Sequence, residues 1–123
     1  MFAMNPIVQY TRNGAVHSIY KRISEVPDGF DAYSTFTNTW SSTYNTLNED
    51  FKLYNNLEDM AECANDWDFC NYNVPDVGYP RDCGQSGASY SQWFSMPNGT
   101  YMSPGLTSGA SFQLFGGLNL CFI

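Results

Sequence analysis

The chain has 123 residues and carries 12 acidic against 5 basic side chains, so its formal net charge is −7. This length fits one domain over residues 1–123 with a core of its own, and no run approaches the ~18 consecutive apolar residues of a membrane span. The scarcity of Lys and Arg argues against a nucleic-acid partner, and an aromatic content of 17% argues against a disordered chain.

The first predicted element is a β-hairpin centred on Asn13 and Gly14. Asn-Gly favours a two-residue type I′ turn, because both central residues of that turn need positive φ angles. The turn sets the register, and the expected cross-strand pairs are Arg12–Ala15, Tyr10–His17 and Val8–Ile19. Apolar side chains then occupy both faces of the ribbon, with Val8, Tyr10, His17 and Ile19 on one and Ile7, Val16 and Tyr20 on the other.

One to three helices are predicted in the middle of the chain, at about residues 30–64. Aromatic and apolar side chains recur there at steps of three and four, the spacing of one helix face. They are Phe30, Tyr33, Phe36, Trp40, Tyr44, Leu47, Phe51 and Tyr54. Dense Ser, Thr and Asn disfavour helix over residues 34–46, so an extended segment over residues 30–46 stays open as the alternative.

Two capping signals refine the helices of this region. Thr46, with Glu49 three residues later, is typical of a capping box and predicts a helix from Leu47 onward. Asn56 is a favourable N-cap residue and predicts a short helix beginning at Leu57.

The second half of the chain is predicted to be a long loop over residues 65–88, rich in Pro and Gly, followed by strands. Strand patterns occur at residues 90–96, 100–102, 111–115 and 118–122, with turn signals at Asn98-Gly99 and Gly116-Gly117. Strands at both ends with helices between them indicate a small α+β domain. The N-terminal hairpin and the C-terminal strands are expected to form one sheet.

The four cysteines are even in number, and their spacing contains no zinc knuckle. They are Cys63, Cys70, Cys83 and Cys121. Two disulfides are favoured over buried free thiols, and all three pairings remain open. Disulfides indicate an oxidising compartment, either outside the cell or in an organelle lumen. The first residues contain no secretory leader, so we expect that any leader has already been removed.

The densest group of polar and aromatic residues lies at positions 65–76. Its oxygen-bearing side chains suggest a calcium loop, with Asp66, Asp68, Asn71, Asn73 and Asp76 as ligands. The EF-hand pattern is not met, and turn-forming Asn and Asp would explain the same composition. Aromatic rings can also stack on sugars, and the candidates for ligand binding are Trp67, Tyr72, Tyr79 and Trp93.

The segment Val-Gly-Tyr-Pro-Arg-Asp-Cys-Gly, at residues 77–84, is the most distinctive string in the chain. Arg81 and Asp82 lie between Pro80 and Cys83, which predicts a rigid loop. Either the two charges form an internal ion pair or Arg81 is presented to a partner, since arginine makes planar bidentate contacts. A purely structural loop is the alternative.

Catalytic residues are not evident. His17 is the single histidine, and its expected neighbour Tyr10 supplies neither a nucleophile nor a substrate proton. Ser86 lies in Gly-Gln-Ser-Gly, which lacks the spacing of a nucleophile elbow. The chain is therefore not expected to be an enzyme, and no cofactor is expected apart from calcium.

Two functions remain. The favoured one is a linker subunit that docks on a larger protein assembly through aromatic and acidic surfaces, helped by an apolar C-terminal tail. The alternative is a secreted carbohydrate-binding module, with calcium as a possible aid. The acidity is local, because residues 49–76 hold eight acidic side chains against Lys52 alone. This acidic segment is interpreted either as a surface that binds a basic partner or as a solvated helix face.

Overall fold

The computed structural model describes residues 7–12, 14–89 and 111–115. In chain order the elements are β1 (Ile7–Arg12), β2 (Ala15–Arg22), α1 (Ala32–Thr37), β3 (Phe51–Tyr54), α2 (Leu57–Glu62) and β4 (Ser111–Phe115). The strands form an antiparallel sheet in the order β3-β2-β1-β4. The α+β class, the N-terminal hairpin and the pairing of a C-terminal strand with it are confirmed. The strands expected at residues 90–96, 100–102 and 118–122 lie outside the described residues.

The hairpin has a different register from the expected one, because a β-bulge interrupts it. Arg12 pairs with Ala15 as predicted, but beyond a shift at Tyr10 and Thr11, Tyr10 pairs with Ser18 instead of His17. A bulge places two residues of one strand opposite one of the other, so it reverses the alternation of faces beyond it. The face assignment from the ideal hairpin was therefore wrong. Val8 shares its face with Tyr20, and Ile7 shares the opposite face with Ile19.

The prediction of a helix from Leu47 is also wrong, because this part of the chain is a turn followed by a strand. Thr46 accepts hydrogen bonds from the amides of Glu49 and Asp50 through its backbone oxygen, at 3.1 and 2.8 Å. The turn leads into β3, which completes the edge of the sheet beside β2. Between residues 30 and 46 only α1 is helical, and residues 38–46 form a loop with turns, so this stretch is neither a continuous helix nor an extended segment.

The short helix after Asn56 is confirmed. The Asn56 side chain accepts a hydrogen bond from the Asp59 amide at 2.8 Å, as an N-cap does. The helix ends at Glu62, and Cys63 takes the left-handed conformation after it, with φ at 54°. This geometry satisfies the last carbonyls of the helix and stops it there.

Both faces of the sheet are covered by apolar side chains. The aromatic core lies on the face that meets α1 and the long loop, and consists of Val8, Tyr10, Tyr20, Phe36, Trp40, Phe51, Leu53, Trp67, Tyr79 and Cys83. The second core lies under α2 and consists of Ile7, Ile19, Tyr54 and Met60. The rings of the aromatic core contact one another mostly edge to face, with centroids 4.6–6.2 Å apart. Aromatic pairs prefer offset and edge-to-face arrangements of this kind.

The long loop over residues 65–88 is closed by a disulfide between Cys70 and Cys83. An isolated bridge between Phe69 and Gly84 lies beside it. Only glycine fits at position 84, because a Cβ atom there would lie 1.9 Å from the Gly87 carbonyl oxygen. The Cys70–Cys83 pairing is one of those that the sequence left open. Cys63 is also disulfide-bonded, and Cys121 lies outside the described residues.

The oxidised cysteines are consistent with an oxidising compartment. Within residues 7–12, 14–89 and 111–115, no helix has the length and apolar character needed to cross a membrane.

Candidate functional site

The aromatic residues singled out for ligand binding are mostly part of the core. Trp67 and Tyr79 are buried, and the Tyr79 hydroxyl forms a hydrogen bond with Ser18. Tyr72 is partly buried, stacks on Trp40 and accepts a hydrogen bond from the Leu47 amide at 2.8 Å. The rings of these three residues pack against other side chains of the chain. Trp93 lies outside the described residues.

Arg81 and Asp82 do not form the internal ion pair that was one of the two expectations for them. The Arg81 guanidinium donates to the Tyr72 backbone oxygen at 2.7 Å, and Arg81 itself has a left-handed φ of 40°. The buried Asp82 carboxylate accepts from the Asn71 side-chain amide at 2.7 Å. Both charges therefore hold the loop around the Cys70–Cys83 disulfide.

The five candidate calcium ligands have separate roles in the structure. Asp66 forms an ion pair with Lys52 at 3.3 Å, and Asp68 accepts from the Gly87 amide at 2.8 Å. Asn71 binds Asp82, as described above, while Asn73 binds the backbone and side chain of Ser42, and Asp76 is exposed. Among the described residues, no three His, Cys, Asp or Glu side chains are grouped so that they could hold a metal ion.

His17 occupies the bulge of the hairpin and packs between two rings. Its centroid lies 5.4 Å from that of Tyr10 and 5.7 Å from that of Trp67, and both contacts are edge to face. Its Nδ1 atom is 3.1 Å from the Ser18 hydroxyl. His17 is therefore a partly buried side chain that packs at the edge of the aromatic core.

A pocket that the sequence did not indicate lies between the turn before α1 and the loop after it. Its volume is about 170 Å³, and we call it the Tyr44 pocket. It is lined by Asp28, Gly29, Phe30, Asp31, Thr35, Ser41, Thr43 and Tyr44. The Tyr44 side chain is 64% exposed, and Tyr33 on α1 is 72% exposed. These two tyrosines are the most exposed large apolar side chains in the described part of the chain.

The first wall of the Tyr44 pocket is built from a turn and a helix cap. Gly29 has a φ of 80°, which the Asp-Gly turn requires, and the Phe30 amide donates to the Pro27 oxygen at 3.2 Å. Asp31 then caps α1, because one of its carboxylate oxygens accepts from the Ser34 amide at 3.0 Å. The side chains of Asp28 and Asp31 therefore reach the pocket from a fixed backbone.

The second wall is the loop over residues 41–44, which is fixed at both ends. The buried Asn45 donates from its side chain to the Ser41 oxygen at 2.8 Å, and its amide donates to the Ser42 oxygen at 3.0 Å. Asn73 holds the same loop from outside through Ser42. Tyr44 has a left-handed φ of 52°, which is uncommon for a bulky residue, and its ring is directed away from the core.

One buried hydroxyl connects the two walls. The Tyr20 hydroxyl donates to the Asn45 side-chain oxygen at 2.7 Å and accepts from the Arg22 guanidinium at 3.2 Å. Arg22 also donates to the backbone oxygens of Ser24 and Glu25, and its guanidinium lies 5.1 Å from the centre of the Phe30 ring. We call Arg22, Tyr20 and Asn45 the connecting network, because Arg22 supports the first wall and Asn45 supports the second.

The Tyr44 pocket is negatively charged at its surface. Asp28 has no hydrogen-bond or ion-pair partner among the described residues, and Asp31 uses only one carboxylate oxygen. Arg22 lies behind Phe30, buried and 4.0 Å from the Asp50 carboxylate, so its charge is already matched. The pocket thus offers unpaired acceptors beside an exposed ring.

Sequence reasoning missed this pocket because Tyr44 was assigned to the apolar stripe of a helix. The signals were the Asp-Gly turn at Asp28 and the Asp31 cap, with loop-forming residues from Ser41 to Asn45. Each predicts local structure, but the approach of the two walls depends on the short α1 between them.

No protein-family model matches the chain, and no curated protein or solved structure is significantly similar to it. Its function is therefore inferred from its own residues.

Proposed function

We propose that this chain is a non-enzymatic interaction domain, a linker subunit that docks on a larger protein assembly through aromatic and acidic surfaces. The observation that carries the proposal is the exposure of Tyr44 at the Tyr44 pocket, together with the exposure of Tyr33 on α1. The aromatic core is built from other rings, and these two tyrosines lie outside it. Tyrosine is enriched at the centres of protein interfaces.

The acidic segment adds a second surface to the proposal. Asp50 and Asp66 are matched by Arg22 and Lys52, but Glu58 and Glu62 are exposed on α2. Exposed carboxylates of one sign speed the approach of a basic partner and help to orient it. The disulfide supports the further proposal that the assembly lies outside the cell or in an organelle lumen.

The test is the size of the particle that contains the protein in the cells that make it. We expect the wild-type chain to migrate in a native gel with a mass well above that of one 13.9 kDa chain. The variant Tyr33→Ser/Tyr44→Ser should be released from the particle, since it loses the exposed rings. Val16→Ser is the matched control, because Val16 is also exposed and apolar but lies in the hairpin. A monomeric wild-type chain would contradict the proposal.

A second candidate is a carbohydrate-binding module, and one observation favours it. An exposed ring beside carboxylate and hydroxyl groups, as at Tyr44, Asp28 and Thr43, is also an arrangement that can hold a sugar. A glycan array probed with and without Ca²⁺ tests this candidate, including any aid from calcium. Binding that the variant Tyr44→Ala loses would support it, and an array without signal in either condition would exclude it.

A further inference from the structure

We propose that the Tyr44 pocket binds one arginine side chain of a protein partner. This inference rests on the proposed function, because it names the group by which the partner is recognised. The pocket volume of about 170 Å³ is below the ~300–1,000 Å³ of sites for drug-sized molecules, so it suits a single side chain.

The charges of the pocket select a cation. Asp28 and Asp31 are the ionisable groups among its lining residues apart from the Tyr44 phenol, and none of those lining residues is basic. Asp28 is unpaired within the described part of the chain, and Asp31 has one carboxylate oxygen left after capping α1. A cation entering here would meet two carboxylates with unused acceptor oxygens.

The ring of Tyr44 selects a planar cation among the possible ones. A guanidinium group stacks on an aromatic face and donates to carboxylates in a fork, whereas an ammonium group does only the second well. The fold already contains such a contact, because the Arg22 guanidinium lies 5.1 Å from the centre of the Phe30 ring.

The connecting network gives the pocket the fixed shape that recognition requires. Arg22, Tyr20 and Asn45 are buried and joined by hydrogen bonds of 2.7 and 3.2 Å. Asn45 also holds the Ser41 backbone of the second wall, and the Arg22 guanidinium lies against the Phe30 ring of the first. A site held in this way loses little conformational entropy when a ligand enters.

The experiment is an NMR titration of the disulfide-intact chain with three probes, N-acetyl-arginine amide, N-acetyl-lysine amide and neutral N-acetyl-glutamine amide. We expect the arginine probe to shift the amides of residues 28–31 and 41–44, with a Kd of the order of millimolar, and the lysine probe to bind several-fold more weakly. The glutamine probe should leave these amides unchanged up to about 50 mM.

Two matched variants separate the pocket from general charge. Asp28→Asn/Asp31→Asn should weaken arginine binding about tenfold, and it keeps the helix cap because asparagine caps as well as aspartate. Glu58→Gln/Glu62→Gln removes the same charge from α2 and should change binding less than about twofold. Tyr44→Ala should weaken it about fivefold through the lost ring. An unchanged spectrum outside the pocket shows that each variant is folded.

Three further outcomes overturn the inference, and a fourth rejects the proposed function instead. Equal weakening by both double variants would mean that only net charge attracts the probe. Shifts of the pocket amides with methyl glucoside or CaCl₂, but with no arginine response, would assign the pocket to a sugar or a metal. Since the titration needs no partner, absence of arginine binding by a chain that still migrates in a large particle would reject this site and keep the proposed function. Arginine binding by a chain that is monomeric in its cells would support this site and reject the proposed function.

Discussion

At the scale of single residues, the buried Tyr20 hydroxyl makes two hydrogen bonds, one to Asn45 and one to Arg22. It joins the charged Arg22 to the neutral Asn45, and through them it holds two stretches of backbone that β2 and α1 alone would not position. Buried polar groups stabilise a fold only when their partners are present, and an unmatched one costs about 1–3 kcal/mol. The network is therefore sensitive to the loss of one oxygen atom.

Removing that oxygen is the first test. Tyr20→Phe should lower the free energy of unfolding by about 1–3 kcal/mol, because the Asn45 oxygen and the Arg22 guanidinium each lose a partner in the core. Urea denaturation monitored by fluorescence measures this change. Tyr44→Phe is the matched control, since its exposed hydroxyl has no partner among the described residues and its loss should cost less than about 0.5 kcal/mol. Equal effects of both variants would contradict the role of the network.

Burial of tyrosine hydroxyls makes the stability of the folded protein depend on pH in the alkaline range. Burial raises the pKa of Tyr10 and of Tyr72 to about 12, and burial also raises the pKa values of Tyr20 and Tyr79. Unfolded tyrosine ionises near pH 10, so above that pH the unfolded chain releases protons that the folded chain retains. Stability is then fully present below about pH 10 and is lost as the pH rises toward about 12.

The measurement is the free energy of unfolding in urea at about pH 9, 10 and 11. We expect a steady decrease over this range in the wild-type chain and a shallower decrease in Tyr72→Phe, which lacks one of the raised groups. The change of the free energy with pH is compared instead of its absolute value, because Tyr72→Phe also removes the acceptor of the Leu47 amide. A free energy that stays constant from about pH 9 to 11 would contradict the burial of these hydroxyls.

At the scale of elements, two of the signals that act within a few residues predicted the structure correctly, whereas the capping box at Thr46 did not. The Asn-Gly turn gave the hairpin, and Asn56 gave the start of α2. The local turn signal did not predict the β-bulge, where His17 packs against Trp67, a residue distant in sequence. The helical spacing of aromatic residues misled for a related reason. Phe36, Trp40 and Phe51 meet in one core although a helix, a loop and a strand supply them.

The strand β3 carried a signal that the helical pattern obscured. Phe51 and Leu53 point to the aromatic core, while Lys52 and Tyr54 lie on the opposite face. This alternation has the period of two that a strand requires. Because this alternation covers only four residues, the longer helical spacing of aromatic residues across the region outweighed it.

The cap of α2 provides a test at this scale. Asn56→Ala should lower the free energy of unfolding by about 1 kcal/mol, because the Asp59 amide loses its acceptor at the start of a six-residue helix. Asn56→Asp should be close to the wild-type value, since it keeps that acceptor. Thermal denaturation of the three proteins side by side measures both changes. A stable Asn56→Ala protein would show that α2 is held by Met60 and the second core alone.

The Cys70–Cys83 disulfide of the long loop provides a second test at the scale of elements. Its cysteines are 13 residues apart in the chain, and closing a loop of about 15 residues contributes ~3 kcal/mol in the chain-entropy account. Cys70→Ser/Cys83→Ser should therefore unfold at a clearly lower urea concentration than the wild-type chain under non-reducing conditions. Because Cys83 also lies in the aromatic core, Cys83→Ala in reductant separates packing from the cross-link. No difference between oxidised and reduced wild-type protein would contradict this contribution.

At the scale of the whole molecule, the sequence predicted the α+β class but not which aromatic rings lie at the surface. Its aromatic content, acidic segment and cysteines suggested an interaction domain with disulfides, but the rings chosen from it, Trp67 and Tyr79, lie in the core. Composition cannot separate core rings from surface rings. The distinction needs the path of the backbone, which here exposes Tyr33 and Tyr44 around α1.

The account as a whole depends on the exposed surface at Tyr44 being a protein-binding surface. The most direct measurement replaces Tyr44 with the photo-crosslinking residue benzoylphenylalanine in the cells that make the protein, with Val16 replaced in a parallel sample. Mass spectrometry then identifies the attached peptides. The account predicts one defined partner peptide, close to an arginine, from position 44 and none from position 16. Equal attachment at both positions, or none at position 44, would contradict it.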